Sequence, residues 1–268
     1  MRYPKGGIDL RSTQDTMLLQ QVLLSRHISQ QQLWEFMQHR AREYRRRVFT
    51  WRMKRLVDHE LVIRGSAPNR AWVYSLSQAG AEHLVGLGET AALLVTGGLV
   101  EIDHGSVQHS LELNDIHLAL LRAGGHVSWQ SELEIRALNE FTAYGYAKDY
   151  DAIVKIERAG RSYQFALEYE RSPKTPDKYA RVRQVLETEN KAGCILYVMP
   201  SYPLLSYVAT FFERCATPVY FALSDDFRNN TLDADVMDSR RLKSVPLHAV
   251  LDAVSRRAGG ELAALPSY

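Results

Sequence analysis

The sequence predicts a two-domain protein of mixed class, with an α+β first domain and an α/β second domain. Apolar residues recur at helical spacing near the start and give way to a short hairpin pattern, whereas helix-type and strand-type segments alternate after residue 107. The charge balance also reverses, since residues 1–80 contain fourteen Lys and Arg against six Asp and Glu, and the rest contains 19 against 25. We therefore expect a first domain at 12–85, a glycine-containing connector at 86–106, a second domain at 107–258 and a tail at 259–268.

Composition places the chain among globular proteins. It has 268 residues, 46% of them hydrophobic and 24% charged, which is enough for two domains that each bury a core. No apolar stretch reaches the length that spans a bilayer, no secretion signal is visible, and Cys194 and Cys215 show no disulfide framework. A cytoplasmic location without a membrane partner is expected. The chain has no phosphate-binding loop, so nucleotide hydrolysis lacks support.

Two helices open the first domain. Thr13 is placed to cap the first, whose apolar stripe ends near residues 25–27. Ser29 and Gln32 have the spacing of a capping box, in which each side chain binds the backbone N–H of the other residue. A second helix is therefore predicted to begin there and to end near His39.

The third predicted helix, residues 43–59, is strongly basic. Phe49, Met53, Leu56 and Val57 follow helical spacing and form its apolar side. The segment from Arg40 to Arg55 contains eight basic residues and a single acid, Glu43. This density is far above that of an ordinary solvated helix face and indicates contact with a polyanion.

A hairpin pattern follows the third helix. Two β-type segments, 61–64 and 70–76, flank a Gly- and Pro-containing turn, and Ser77 begins another helix. Three short helices, a basic third one and a hairpin with arginines at its tip are the parts of a winged helix-turn-helix, in which the third helix enters the major groove of DNA. The run from Trp51 to Leu84 resembles winged-helix DNA-binding domains; the alternative is a winged helix used for protein contacts or dimerisation. The candidate DNA-binding residues are Arg45, Arg47, Arg52, Lys54, Arg55 and Arg70.

The second domain reads as α, β, β, β, α, β. The predicted segments are a helix at 109–121, strands at 127–133, 151–156 and 163–169, a helix that Thr175 caps, a strand at 194–198, a helix at 203–215, a strand at 219–223 and a last helix at 247–257.

Three carboxylates mark the central hairpin of this domain. Glu168 and Glu170 share a face of their strand because side chains alternate with a period of two. Asp151 begins the partner strand, so the three groups are expected to converge. Such a cluster repels itself unless a cation neutralises it, and oxygen ligands suit Mg²⁺ or Mn²⁺. The alternative is that both glutamates form the wet face of an antiparallel strand.

The order of elements resembles the core of the PD-(D/E)XK nuclease superfamily. Asp151 matches the Asp of that motif, with Tyr150 in place of the usual Pro, and Glu168 matches the Glu. Glu170 occupies the Lys position, a departure that is known in some restriction endonucleases of the superfamily and accompanies loss of activity in other members. Lys174 or Lys178 is then the expected source of a displaced cation, and Glu112 is a candidate supporting carboxylate. The resemblance implies catalytic roles for Asp151, Glu168 and Glu170, a metal held by Asp151 and Glu168, and Mg²⁺ as cofactor if the site is active.

Both halves together resemble the plasmid replication-relaxation family. The landmarks are HSLELNDIHLALLRAG, SWQSELEIR, YDAIVKIERAGRSYQFALEYERS and GCILYVMP. The resemblance implies a DNA-binding protein of plasmid or mobile-element replication or mobilisation, whose winged helix contacts duplex DNA and whose nuclease-like domain is regulatory or contacts DNA. The alternative is a Mg²⁺-dependent endonuclease or nickase. Duplex DNA is the expected partner, and a homodimer and contacts with replication or mobilisation proteins are left open.

Overall fold

The structure is a computed structural model that describes residues 10, 13–42, 45–66, 72–98, 106–158, 160–239 and 244–263. The described residues form eleven α-helices and ten β-strands, which confirms the predicted mixed α/β class. The chain divides into two compact units, Met1–Leu118 and Ala119–Tyr268. Among the described residues, no helix has both the length and the apolar character needed to cross a membrane.

The first unit begins with helices and a small sheet. Strand order in the sheet is β1-β3-β2, and both pairings are antiparallel. The elements are α1 (Thr13–Ser25), β1 (Ile28–Ser29), α2 (Gln30–Ala41), α3 (Arg46–Asp58), β2 (Val62–Ser66) and β3 (Trp72–Leu76).

Local chemistry accounts for the ends of α2 and α3. The predicted capping box of Ser29 and Gln32 is present at the start of α2. Arg42, with φ of 49°, ends α2 in the left-handed conformation, and its backbone N–H donates to the Met37 carbonyl. Helix α3 therefore starts three residues later than the predicted residue 43. Of the predicted apolar residues of α3, Phe49, Met53 and Leu56 are buried and Val57 is partly buried.

The predicted connector contains ordered structure. Helix α4 (Gln78–Gly86) begins at a Ser77 cap, and α5 (Thr90–Thr96) buries three side chains inside residues 86–106. Helix α6 (Val107–Arg122) follows, and the division between the two units falls within it, at Leu118. The division thus lies downstream of the glycine-containing stretch where the sequence placed it.

Polar contacts explain why the first half of α6 groups with the first unit. The side-chain amide nitrogen of Gln32 donates to the Leu111 carbonyl and to Asp115 Oδ1, both at 2.7 Å. Asn114, which is buried, donates to the His27 carbonyl at 2.9 Å. These contacts join residues about eighty positions apart, and no local sequence pattern reports them.

The second unit is built on a seven-stranded mixed sheet in the described residues, with strand order β10-β9-β8-β7-β6-β5-β4. Its elements are β4 (His126–Ser131), α7 (Glu132–Phe141), β5 (Ala152–Arg158), β6 (Arg161–Tyr169), α8 (Pro176–Leu186), β7 (Ile195–Met199), α9 (Tyr202–Ala209), β8 (Val219–Leu223), α10 (Ser224–Asn230), β9 (Asp235–Asp238), β10 (Ser244–Pro246) and α11 (Leu247–Ala263).

The sheet changes direction at its centre. Strands β4, β5 and β6 are antiparallel neighbours, whereas β7 is parallel to β6 and β8 is parallel to β7. Strands β9 and β10 then return antiparallel. The predicted central hairpin is present, with Ala152 opposite Leu167. The carboxyl end of β6 lies beside the start of β5. The residues just beyond these two strand ends therefore lie close together, at one end of the strands.

Three features of the second unit depart from expectation. Helix α7 interrupts the predicted run of strands, and a capping box of Ser131 and Glu134 starts it. The helix predicted at 203–215 is shorter in the structure. Helix α9 ends at Ala209, and a 3-10 turn, Thr210–Phe212, follows it. Strands β9 and β10 were not expected, because each is only three or four residues long and carries no clear alternation.

Aromatic side chains fill the core of this unit. Tyr197 of β7 lies 5.3 Å from Phe212 and 5.9 Å from Phe221 of β8, measured between ring centroids. All three rings are buried in one cluster with Tyr150 and Tyr179. The packed core holds β6 and β7 rigidly at the end where the glutamates lie.

Candidate functional site

Helix α3 presents a basic and aromatic face. Arg47, Trp51 and Lys54 are spaced by four and three positions, so they lie on one side of the helix, and all three are exposed. The opposite side buries the apolar stripe of α3 in the first unit. Lys54 also pairs with Asp58, at 2.6 Å, in an exposed contact of little energetic weight.

Two predicted DNA-binding arginines contact a buried carboxylate instead. Asp15, only 1% exposed, lies in the first turn of α1. Arg52 Nη1 lies 3.1 Å from Asp15 Oδ1, and Arg55 pairs with the other carboxylate oxygen. A buried carboxylate is costly unless it is paired, so these guanidinium groups stabilise the packing of α1 against α3. The candidate interface is left to the exposed residues of α3 and of the hairpin.

The remaining predicted DNA-binding residues are Arg45 and Arg70. Arg45 is exposed and occupies the cap position before α3. Arg70 lies outside the described residues.

Two further arginines, one from the basic segment and one from the hairpin, were not among the candidate DNA-binding residues, and both lie beside tryptophan rings. The guanidinium carbon of Arg64, on β2, lies 4.4 Å from the ring centroid of Trp72, on β3. Arg46 lies 5.6 Å from the ring of Trp34 and donates to Gln31 Oε1 at 2.9 Å. Cross-strand pairing of Arg64 with Tyr74 puts Arg64 diagonally across from Trp72. An alternating strand pattern indicates that two residues share a face, but not which diagonal neighbours meet.

In the second unit, the three predicted carboxylates lie at the open end of the β5–β6 hairpin, away from its turn. Asp151 directly precedes β5, and its Oδ2 accepts a hydrogen bond from the backbone N–H of Tyr169 at 2.6 Å. Glu168 is in β6 and Glu170 directly follows it, so the two side chains leave the same face. Both glutamates are buried, at 6% exposure. Their burial rules out the solvated strand face that was the simpler alternative.

Each buried glutamate is paired with a lysine. Lys148 pairs with Glu168 Oε1, and the ammonium group of Lys174 lies 2.6 Å from Glu170 Oε2. Lys174 was expected as a source of a displaced cation, whereas Lys148 was not predicted. The only signal for Lys148 was its position three residues before Asp151, in a segment without regular structure.

The charges in this cluster act on one another. Burial is the main cause that raises the pKa of Glu168 from its ordinary 4.5 to about 7; the charge of Asp151 adds to the rise, and Lys148 opposes it. Burial lowers the pKa of Lys174, but its hydrogen bond to Glu170 raises it above the ordinary value overall. The pKa of Tyr197 is raised well above normal by burial and then by Glu168 and Glu170. Asp151 therefore disfavours the charged form of Glu168, and Lys148 favours it.

Tyr150, which directly precedes Asp151, has a structural role. Its hydroxyl donates to Glu189 Oε2 at 2.9 Å, and the Lys148 ammonium lies 5.2 Å from its ring centroid. Glu189 also accepts from the backbone N–H groups of Lys191 and Ala147. These contacts hold the segment before Asp151 and help place Lys148 beside Glu168.

The lysines supply the charge that the sequence pattern assigned to a metal ion. Among the described residues, no group of three or more His, Cys, Asp and Glu side chains is arranged to hold a metal ion. Glu112, the candidate supporting carboxylate, lies on α6 and accepts from Gln108 at 2.8 Å. Both glutamates are paired with lysines in this arrangement. The metal site on Asp151 and Glu168 stays a prediction.

Comparisons with protein-family models, with curated proteins and with solved structures gave no match.

Proposed function

We propose that the chain is a duplex-DNA-binding protein whose first unit is a winged helix-turn-helix. The order α1, β1, α2, α3, β2, β3, with β3 between β1 and β2, supports this because it is the order of that motif. In such a motif, α3 lies in the major groove and the β2–β3 hairpin contacts the neighbouring backbone.

The observation that carries the proposal is the exposed face of α3. Arg47 and Lys54 flank Trp51 on the side of the helix opposite its buried stripe. Long cationic side chains on an exposed recognition helix meet phosphates or base edges, and an arginine can bind guanine with two hydrogen bonds. Arg45, Arg46 and Arg64 extend the positive charge to the start of α3 and to the hairpin.

The charge distribution supports the same assignment. Residues 1–80 hold fourteen of the 33 basic residues of the chain and only six of its 31 acidic residues. Two of the fourteen, Arg52 and Arg55, are paired with Asp15, and most of the others on α3 are exposed. Such a surface attracts a polyanion over the range of the Debye length.

We further propose that the DNA-binding activity serves a plasmid or another mobile element. The support is the resemblance of the sequence to the replication-relaxation family. The second unit is then regulatory or contacts DNA, and its lysine-paired glutamates favour this role over phosphodiester cleavage. The nickase alternative requires Asp151 and Glu168 to be released from their present partners to bind Mg²⁺.

The experiment that tests the proposal is a salt titration of DNA binding. The full chain is expected to bind a labelled duplex at low salt, with an affinity that falls steeply as salt rises, because each phosphate contact releases counterions. Fluorescence anisotropy at several salt concentrations measures the slope. An affinity that does not change with salt, or no binding at the lowest salt, would rule the proposal out.

A further inference from the structure

Two tryptophans of the first unit are half exposed. Trp51, on α3, is 48% exposed and Trp72, at the start of β3, is 49% exposed. Trp72 shares a strand face with Tyr74, which is only 5% exposed, so that face leaves the core between the two residues. Large indole rings in water lose the stabilisation that burial would give them, and tryptophan is enriched at binding surfaces.

An arginine guanidinium group lies close to the ring of each of these tryptophans. The guanidinium carbon of Arg55 lies 5.0 Å from the Trp51 ring centroid, and that of Arg64 lies 4.4 Å from the Trp72 ring centroid. Both distances are within the range of a cation–π contact. Arg55 is also fixed by Asp15, so the first pair is anchored to a buried group. Each pair therefore combines a positive charge with a partly exposed aromatic ring.

The chemistry of these pairs selects a particular form of DNA. In a closed duplex the faces of the bases are covered by their neighbours, and only base edges and phosphates are accessible. An aromatic ring gains most from a base face, as proteins that bind single strands or wedge open a base step show. Arg64, which is exposed, is suited to the phosphate of the same nucleotide, whereas Arg55, paired with Asp15, holds the Trp51 ring in position.

Resting on the proposed function, we propose that the Trp51–Arg55 and Trp72–Arg64 pairs bind unpaired or unstacked bases, so that the preferred ligand is duplex DNA with a locally opened segment. Trp and Arg are also common in protein–protein contacts. The excess of basic over acidic residues in this part of the chain favours DNA as the occupant.

The test compares two labelled DNAs that differ only in the centre. One is a fully paired duplex, and the other carries a short central run of mismatches. The full chain is expected to bind the mismatched DNA on the order of tenfold more tightly than the duplex, as the stacking of one base contributes. Quenching of tryptophan emission by the mismatched DNA provides a second readout.

Variants assign the preference to the two rings. Trp51→Ala and Trp72→Ala are each expected to lose more affinity for the mismatched DNA than for the duplex. Trp51→Phe and Trp72→Phe should retain most of the preference for mismatched DNA. Ile63→Ala is the matched control, because Ile63 is 47% exposed and apolar but not aromatic. It should leave the preference unchanged.

The outcomes separate this inference from the function on which it rests. Equal affinity for the two DNAs, or equal losses on both DNAs in the tryptophan variants, would overturn the inference and leave duplex binding intact. Failure to bind either DNA at low salt would overturn the proposed function and the inference together. A change from dimer to monomer in the alanine variants, with the DNA preference intact, would show that the rings form a protein contact and would also overturn it.

Discussion

Arg47 and Arg55 lie on the same short helix, yet their surroundings give them different roles. Arg47 is exposed, whereas the Arg55 side chain is 12% exposed and paired with Asp15. The sequence showed both as basic residues of one dense segment. Asp15 could not be recognised as the partner of Arg55, because it precedes that residue by about forty positions.

The two arginines are therefore expected to respond differently to truncation. Arg55→Ala leaves the buried Asp15 with less compensation and should lower the stability of the first unit by about 2–4 kcal/mol. Arg47→Ala should change stability by less than about 0.5 kcal/mol. Urea unfolding followed by circular dichroism measures both. Equal stability of the two variants would show that the Asp15 pair contributes nothing.

Glu168 gives the second unit a predictable dependence on pH. Its pKa is about 7 in the folded chain and near 4.5 when unfolded, so between these values the folded state holds more protons. The contribution of Glu168 to stability is therefore complete below pH 4.5 and is lost as the pH rises through 7. Glu168→Gln should remove this loss, and the variant should gain on the order of 1–3 kcal/mol relative to wild type as the pH rises from about 5 to about 8.

The exposed residue Glu157 of β5 supplies the control for this measurement. Glu157→Gln should show the same stability difference from wild type at both ends of this pH range, because its carboxylate is half exposed. A Glu168→Gln variant that behaves like this control would contradict the burial argument.

Thermal melting of the same samples with and without millimolar Mn²⁺ tests the metal site. No rise in the melting temperature is expected, and a rise that Glu168→Gln abolishes would establish the metal site.

Helix α4 packs so closely against its neighbours that one of its glycines, Gly80, has no room for a side chain. A Cβ at Gly80 would lie 2.2 Å from the Leu61 carbonyl oxygen and 2.8 Å from a methyl group of Leu76. A Cβ at Gly86, at the end of the same helix, would have no atom within 4 Å. The two glycines therefore differ in environment although both lie in one helix.

Substitution by alanine should act in opposite directions at these two sites. Gly80→Ala should destabilise the first unit by about 1–3 kcal/mol, because backbone must move to relieve the overlap. Gly86→Ala should be neutral or stabilising by up to about 1 kcal/mol, as helix propensity alone predicts. Thermal unfolding of the two variants measures both changes in stability. Stabilisation by Gly80→Ala would mean that α4 does not pack against Leu61 as described.

Elements with strong local signals were predictable and those with weak ones were not. The capping box of Ser29, the apolar stripe of α3 and the central hairpin all follow from patterns within a few residues. Helix α7 was missed although Ser131 and Glu134 carry a capping box, because the segment before it reads as a strand that continues. Strands β9 and β10 depend on pairing with their neighbours in the sheet.

At the level of the whole chain, the reversal of charge was informative and the glycine content was misleading. Two compact units are present, but they divide at Leu118 within α6. Gly97 is the cap residue at the end of α5, and Gly98 follows it with a φ of 68°. The ion pair Lys148–Glu168 was hidden, since a one-dimensional pattern does not show which opposite charges meet, whereas Lys174 was expected as a nearby cation.

The central claim is that the exposed face of α3 binds duplex DNA, and one measurement tests it directly. The duplex affinity of full-length Arg47→Ala/Lys54→Ala is compared with that of wild type over a range of salt concentrations. Lys155→Ala/Arg158→Ala is the control, because it removes two exposed charges from β5 of the second unit. The α3 variant should lose about tenfold or more in affinity and reduce the salt slope by about 2, whereas the control should match wild type. Equal losses in the two variants, or an unchanged slope in the α3 variant, would contradict the claim.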